Sequence, residues 1–152
     1  MVKGRLLSIT EKNYLSYKID NEIVIEGLHI DVLDLSFIEI EAHVSIRRSV
    51  ISTLKLTTCW FLGGMTMEEC VVHSYIDYQM GGHNHREIRI CNNIFSDFFD
   101  FFDCHFDANV VVKNNVFCRG TNLLGNKGKG YENLFNGGFD ICNNVGNTKV
   151  DC

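Results

Sequence analysis

Apolar residues recur in one fixed order along most of the chain. In the clearest units the first, third and eighth positions are apolar, and the sixth is Asn or Cys. The three clearest units begin at Ile88, Phe99 and Val110, at a spacing of eleven residues. Apolar alternation followed by a polar corner and another inward residue predicts a short strand that bends and then resumes. No helical period competes with this pattern.

The same unit extends over most of the sequence. Further copies begin at positions 23, 33, 44, 54, 65 and 139, and a degraded copy begins at position 76. A fixed short period marks a solenoid, in which each coil stacks on the next because it cannot bury its apolar face alone. Two units make a coil of about 22 residues. We therefore predict an all-β, right-handed parallel β-helix of about five coils with an N-terminal β cap.

Stacked coils would align equivalent positions in columns. The sixth position holds Leu28, Ile38, Ser49, Cys59, Cys70, Asn93, Cys104, Asn115 and Asn144. The eighth position holds Ile30, Ile40, Ile51, Phe61, Val72, Phe95, Phe106 and Phe117. An inward Asn at the bend would bond backbone groups that are otherwise buried without a partner. The absence of proline agrees with strands whose amides all bond to neighbouring coils.

Two parts of the single predicted domain fall outside the repeat. Residues 1–22 alternate from Arg5 to Ile9 and from Tyr14 to Ile19, which predicts a cap of two short strands. Residues 119–138, rich in Gly, Asn and Lys, form a predicted loop between the coils of 23–118 and a last coil at 139–152. Such insertions often lie on the binding face, so Tyr131 and Phe135 are candidate contact residues. Alternatively, they fold back over the last coil.

Two resemblances support this fold. The segments Ile88–Phe95 and Val110–Phe117 resemble the repeats of right-handed parallel β-helix proteins of the pectate-lyase-like architecture, and the resemblance covers 23–117 and 139–146. The Cys-x-Phe phrases at Cys59 and Cys104 also resemble pentapeptide-repeat proteins, which wind a four-sided β-helix. This chain departs from the second pattern by one extra residue after every second five. Both resemblances imply a fold and leave function open.

Acidic residues are concentrated in two windows without Lys or Arg. The chain has 152 residues and a net charge of −5. Seven acids lie between Ile19 and Ile46, and four more lie between Ile90 and Val112. An acidic surface repels nucleic-acid backbones, so direct binding of DNA or RNA is disfavoured. The simplest alternative is a solvated face that keeps the protein soluble.

The resemblance to pentapeptide-repeat proteins of the quinolone-resistance type implies a specific use for this acidity. Those proteins present an acidic rod as a DNA mimic to a DNA-handling enzyme. We therefore predict a non-catalytic, protein-binding β-helix that inhibits a nucleic-acid enzyme. The predicted binding carboxylates are Asp34, Glu39, Glu41, Asp97, Asp100 and Asp107.

Two other functions stay open. A carbohydrate-binding β-helix would use an exposed Trp60 flanked by Tyr75 or Tyr78 for stacking on a sugar. A self-associating structural subunit would form a homodimer through an exposed strand edge at a solenoid end.

Catalysis is less well supported by the sequence. Parallel β-helix enzymes that cleave acidic polysaccharides use carboxylates with a basic residue. The candidates here are Asp97, Asp100 and Asp103 with Arg89 and Lys113. Asp100 and Arg89 share the second position of adjacent units, and a plain surface ion pair worth under about 1 kcal/mol would use the same geometry.

The remaining features indicate no cofactor. His83 and His85 are candidate metal ligands, but two imidazoles without a nearby Cys or carboxylate pair form an incomplete site. The seven cysteines follow the repeat and are predicted to be mainly buried thiols. The first residues carry no apolar run, so neither a signal peptide nor a membrane span is expected and a cytoplasmic protein is predicted.

Overall fold

The repeat forms a stacked coil. The computed structural model describes residues 6–152, and these form an all-β solenoid of about 5 coils with roughly 22 residues per coil. This confirms the predicted parallel β-helix architecture. We begin each coil at a strand of the seven-stranded sheet and number the coils from the strand Glu22–Glu26, which contains Ile23.

Each coil passes through four strand positions, which we number as faces 1 to 4 in chain order. Face 1 consists of Glu22–Glu26, His43–Arg47, Met65–Glu68, Ile88–Cys91, Val110–Lys113 and Phe139–Cys142. Face 2 consists of the first parts of His29–Asp34 and Val50–Lys55, then Val71–Val72, Ile94–Phe95 and Val116–Phe117. Face 3 consists of Ser8–Thr10, the second parts of those two long strands, Ile76–Asp77 and Phe99–Asp100. Face 4 consists of Glu39–Ile40, Trp60–Phe61, His105–Phe106 and Leu134–Phe135, with Gly82 bridging from Trp60 to His105.

Successive units of the repeat lie on opposite sides of the coil. One unit builds faces 1 and 2, the first half-coil, and the next builds faces 3 and 4, the second half-coil. Strands of successive coils pair in parallel, as Ile88 does with Met65 and Val110. Equivalent positions therefore stack in columns.

The inward columns form the core. Leu33, Phe61 and Phe106 are fully buried, and every predicted eighth-position residue is at most 2% exposed. Phe95 stacks on Phe117 with ring centroids 5.2 Å apart. The predicted inward pattern is confirmed.

The sixth position of the first half-coil forms a hydrogen-bonded ladder. The backbone N–H groups of Cys70, Asn93 and Asn115 donate to the side-chain oxygens of Asn93, Asn115 and Asn144 at 2.9, 3.0 and 3.0 Å. Each Asn amide also reaches a backbone carbonyl of the preceding coil, as Asn115 Nδ2 does with Ile90 O at 2.9 Å. The ladder satisfies the buried backbone N–H groups at the bends of Cys70, Asn93 and Asn115.

The bend itself is made by the fifth residue of each unit, which has a left-handed backbone. In ten units the φ angle lies between 45° at Arg48 and 67° at Gly27. The other eight are Phe37, Thr58, Glu69, Met80, Asn92, Asp103, Asn114 and Asn143. Only some of these are residue types that favour this region, so the sequence pattern did not identify the position.

The inserted segment is shorter than the range 119–138. Thr121 pairs with Phe99, and Leu123 is buried in the core. Asn133 takes the sixth position, where its Oδ1 accepts from Cys104 N at 2.9 Å. The step from Asn115 to Asn144 is 29 residues against 22 for the step before it, and residues 124–132 absorb the difference.

The N-terminal segment covers the first coil. Ser8–Thr10 pairs in parallel with residues 32–34, and Lys18–Ile19 pairs antiparallel with 22–23. Part of the predicted strand from Arg5 lies outside the described residues. The second predicted strand is instead a 3₁₀ helix at Tyr14–Tyr17 followed by Lys18–Ile19. Asn13 causes the difference, because its Oδ1 accepts from Thr10 N and its carbonyl accepts from Ser16.

Candidate binding face

The six predicted binding carboxylates lie on different sides of the coil. Face 4 carries Glu39, and the bend that follows face 4 carries Glu41 and Asp107. Asp34 and Asp100 lie on face 3, and Asp97 lies in the bend between faces 2 and 3. Three of the six therefore lie on one side of the solenoid, Glu39 and Glu41 in the first coil and Asp107 in the fourth.

Asp100 is a structural carboxylate. It is only 7% exposed, its Oδ2 accepts from the Tyr75 hydroxyl, and its Oδ1 accepts from Asn122 Nδ2 at 2.7 Å. Burial, and then the hydrogen bond to Asp100, raise the pKa of Tyr75 above its usual range. A carboxylate held in this way is not presented to a partner.

The two aromatic candidates from the inserted loop pack onto the coil. Tyr131 stacks on Phe102 with centroids 4.6 Å apart, and its hydroxyl donates to Cys152 O at 2.8 Å. Phe135 points inward and stacks on Phe106 at 5.3 Å. Of the two interpretations of this loop, the contacts agree with folding back.

Face 4 has an acidic outer surface. Most of its fifth, seventh and ninth positions point outward. They are Phe37, Thr58, Met80, Asp103 and Glu132, then Glu39, Trp60, Gly82, His105 and Leu134, then Glu41, Leu62, Asn84, Asp107 and Asn136, of which Asn84 is buried. In these described positions there are five carboxylates and no Lys or Arg. Two carboxylates come from the first coil, two from the fourth and one from the fifth, and the first and fourth coils are about 14 Å apart for three strand spacings.

Trp60 occupies the middle of face 4. Its indole Nε1 donates to Met80 O at 3.0 Å, which holds the ring towards the third coil. The His83 ring lies 4.3 Å away at a tilt of 49°. In the preceding coil, Glu39 is the direct pairing partner of Trp60.

Two imidazole–carboxylate pairs continue the surface beyond Trp60. His83 Nδ1 lies 3.8 Å from Asp107 Oδ2, and His105 Nε2 lies 3.3 Å from Asp103 Oδ1. The two imidazole rings are 5.9 Å apart. The three rings thus form a continuous row with carboxylates beside it. His105 was missed in the sequence because it stands at the variable seventh position.

Two glycines allow the third coil to approach its neighbours. A Cβ on Gly82, whose φ is +98°, would lie 2.1 Å from His105 O. A Cβ on Gly81 would lie 2.2 Å from the ring of the fully buried Tyr78, which fills this bend in place of a sixth-position side chain. The irregular segment 79–87 is therefore the part of the third coil that accommodates the large inward side chain of Tyr78.

The histidines of that segment do not form a metal site. His83 lies beside Trp60, whereas His85 lines an open cleft of about 410 Å³ with His43 and Arg86. Among residues 6–152, no group of three or more His, Cys, Asp or Glu side chains has an arrangement that would hold a metal ion.

The predicted catalytic and sugar-binding sets are dispersed. Arg89 and Lys113 lie on face 1, away from Asp100 on face 3, because consecutive units occupy opposite halves of the coil. Arg89 bonds Glu68 at 3.0 Å, and Lys113 pairs with Asp140. Tyr75 stacks on Phe98 instead of flanking Trp60, and Tyr78 is buried.

Four of the seven cysteines are buried and three, Cys118, Cys142 and Cys152, are exposed. Burial raises the pKa of the Cys59 and Cys104 thiols above the usual range, so these two are inert packing residues. The prediction of mainly buried thiols is confirmed for four positions.

The outermost strand at one end of face 1 is the candidate surface for self-association. Phe139, at the first position of Phe139–Cys142, is 53% exposed, whereas its equivalent Val110 is fully buried. The homodimer stays a prediction.

In the described part of the chain, no helix has the length and apolarity needed to cross a membrane.

Comparison with known proteins adds no relative. Searches against family models, curated proteins and solved structures found no match to this chain.

Proposed function

We propose that this protein is a non-catalytic binding solenoid that presents face 4 to a basic surface of a protein partner. The observation that carries the proposal is the composition of the outward columns of face 4. They hold Glu39, Glu41, Asp103, Asp107 and Glu132 and, in the described positions, no cationic Lys or Arg. Several other acids of the chain are bonded within the fold, as Asp100, Glu68 and Asp140 are.

The scaffold favours such a role. The strand of Glu39 pairs with that of Trp60, and Gly82 bridges Trp60 to His105, so the outward side chains project from an ordered backbone and little backbone entropy is lost when a partner binds. A field of one sign also accelerates encounter with an oppositely charged cleft. A nucleic-acid enzyme has a cleft of this kind, and face 4 would compete with the phosphate backbone for it.

Affinity capture with matched variants tests the proposal. The immobilised protein is exposed to a bacterial lysate at low and at high salt, and bound proteins are identified by mass spectrometry. The test variant is Glu39→Gln/Glu41→Gln/Asp107→Asn. The control variant, Glu11→Gln/Asp20→Asn/Asp97→Asn, removes the same charge elsewhere on the surface.

We expect a partner that binds the native protein and the control at low salt and is lost from the test variant. Raising the salt should reduce its recovery on the order of tenfold because exposed charges are screened. Duplex DNA should displace it if the partner is a nucleic-acid enzyme. Equal recovery by the test and control variants would contradict the use of face 4.

A further inference from the structure

We propose that face 4 contains a specific site for an arginine side chain of the partner, formed by the Trp60 indole and the Glu39 carboxylate, with the His83–Asp107 pair on the other side of the ring. The inference rests on the proposed function, because it names the group that the acidic face would recognise. It rests on three observations: an ordered indole, a second ring on one side of it, and an exposed carboxylate on the other.

The indole is ordered and partly accessible. Trp60 is held by its hydrogen bond to Met80 O at 3.0 Å, so the ring is oriented before any ligand arrives. His83 is the one aromatic neighbour of this ring within residues 6–152, and it belongs to the third coil. The side of the indole that faces the first coil is therefore next to Glu39. A planar guanidinium stacks on an indole in this position through a cation–π contact.

The carboxylates are available to complete the site. Glu39 is exposed, and it forms no ion pair or side-chain hydrogen bond with any residue in the described part of the chain. The Asp107 carboxylate is 46% exposed and lies 3.8 Å from His83 Nδ1. A guanidinium presents a fork of five N–H donors that fits a carboxylate in two parallel hydrogen bonds. Glu39, the pairing partner of Trp60, supplies that carboxylate. Asp107 lies about three strand spacings from Glu39, beside His83, and adds to the acidic surface around the site.

Arginine fits this arrangement better than lysine. A lysine ammonium is a compact, strongly hydrated charge that gains from the carboxylates but does not stack in parallel on a ring. We expect an arginine peptide to bind about fivefold more tightly than a lysine peptide of equal charge, the range expected for one partly exposed cation–π contact.

Trp60 fluorescence reports binding at this site directly, because Trp60 is the one tryptophan of the chain. The probes are acetylated tetra-arginine amide and tetra-lysine amide, titrated into the full chain at low salt. The arginine peptide should change Trp60 emission with saturation, and calorimetry gives both affinities. Trp60→Leu should remove the arginine preference and leave lysine binding unchanged. Phe37→Leu, an exposed aromatic on the same face outside the site, should keep the preference.

A second variant guards against a folding defect in Trp60→Leu. Glu39→Gln retains the ring and should weaken arginine binding more than the charge-matched change Glu11→Gln. Circular dichroism establishes that each variant is folded.

The possible failures are distinguishable. If both peptides bind equally and only the face 4 triple variant weakens them, the arginine site is overturned and the proposed function stands. If neither peptide binds but a captured partner depends on face 4, the arginine site is again overturned alone. If neither peptide binds and no such partner is captured, both are overturned.

Discussion

The two half-coils repeat one pattern but differ in chemistry. In the first half, the outward charges of face 1 are paired between coils: Glu68 lies 3.7 Å from Arg47 and 3.0 Å from Arg89, and Lys113 pairs with Asp140. In the second half, the carboxylates of face 4 lie beside histidines and a tryptophan. Net charge alone therefore does not locate a binding surface, since pairing across coils decides which acids stay available.

The bends of the two halves also differ, in the strength of the hydrogen bonds made by the sixth-position side chain. The first half has the asparagine ladder, in which Asn115 both accepts from Asn93 N and donates to Ile90 O. At the equivalent bend of the second half, Cys104 Sγ is a weaker donor that bonds Tyr78 O at 2.9 Å. The backbone at the Thr58 bend is left-handed, with φ +50°, although Thr is a β-branched residue. We therefore expect the first half to contribute more to stability, whereas the second half carries the irregular surface.

The largest expected effect on stability comes from adding a side chain at Gly82, where two coils of the second half approach each other closely. Gly82→Ala would place a Cβ 2.1 Å from His105 O at a φ of +98°, so the free energy of unfolding should fall by about 3 kcal/mol or more. Gly128 also has a positive φ, but a Cβ there meets nothing within 4 Å. Gly128→Ala should cost only about 1 kcal/mol. Urea unfolding followed by circular dichroism measures both, and equal costs would contradict close packing at position 82.

The next effect compares the two bends directly. Asn115→Ala removes the acceptor of Asn93 N and the donor to Ile90 O, leaving buried backbone groups without partners. Its cost should be about 2–4 kcal/mol. Cys104→Ala removes a thiol and one weak bond and should cost about 1–2 kcal/mol. If Cys104→Ala destabilised the protein as much as Asn115→Ala in urea unfolding, the two bends would be equivalent and the comparison would be wrong.

The sequence predicts the inward positions well because alternation encodes burial directly. Phe95, Phe106 and Asn115 all occupy the columns expected from the eleven-residue spacing. It does not predict which face each unit occupies, since consecutive units share one pattern and yet lie on opposite halves of the coil.

The state of individual side chains at the surface is also hidden from the sequence. The sequence pattern predicts an exposed Asp100, but the carboxylate is buried and bonds Tyr75, which lies 25 residues away in the preceding coil. His83 likewise meets Trp60 only through the stacking of coils. Such contacts depend on the register between coils, and the local pattern contains no information about the residues that the register brings together.

The smallest expected effect is a gain in stability at one bend. Thr58 has a left-handed backbone, and its hydroxyl is buried without a hydrogen-bond partner among the described residues. Thr58→Gly removes both costs and should raise the free energy of unfolding by about 1 kcal/mol, net of the entropy that glycine adds to the unfolded chain.

The matched control for this change is Asn92→Gly in the first half-coil, where Asn already favours a φ of 60°. That substitution should be close to neutral in the same urea titration. Stabilisation by Thr58→Gly alone would mean that the strain comes from the β-branched residue at this bend, next to the face that carries Trp60. Equal gains at both positions would mean that all bends are strained alike, so the division of stability between the half-coils would then rest on the asparagine ladder.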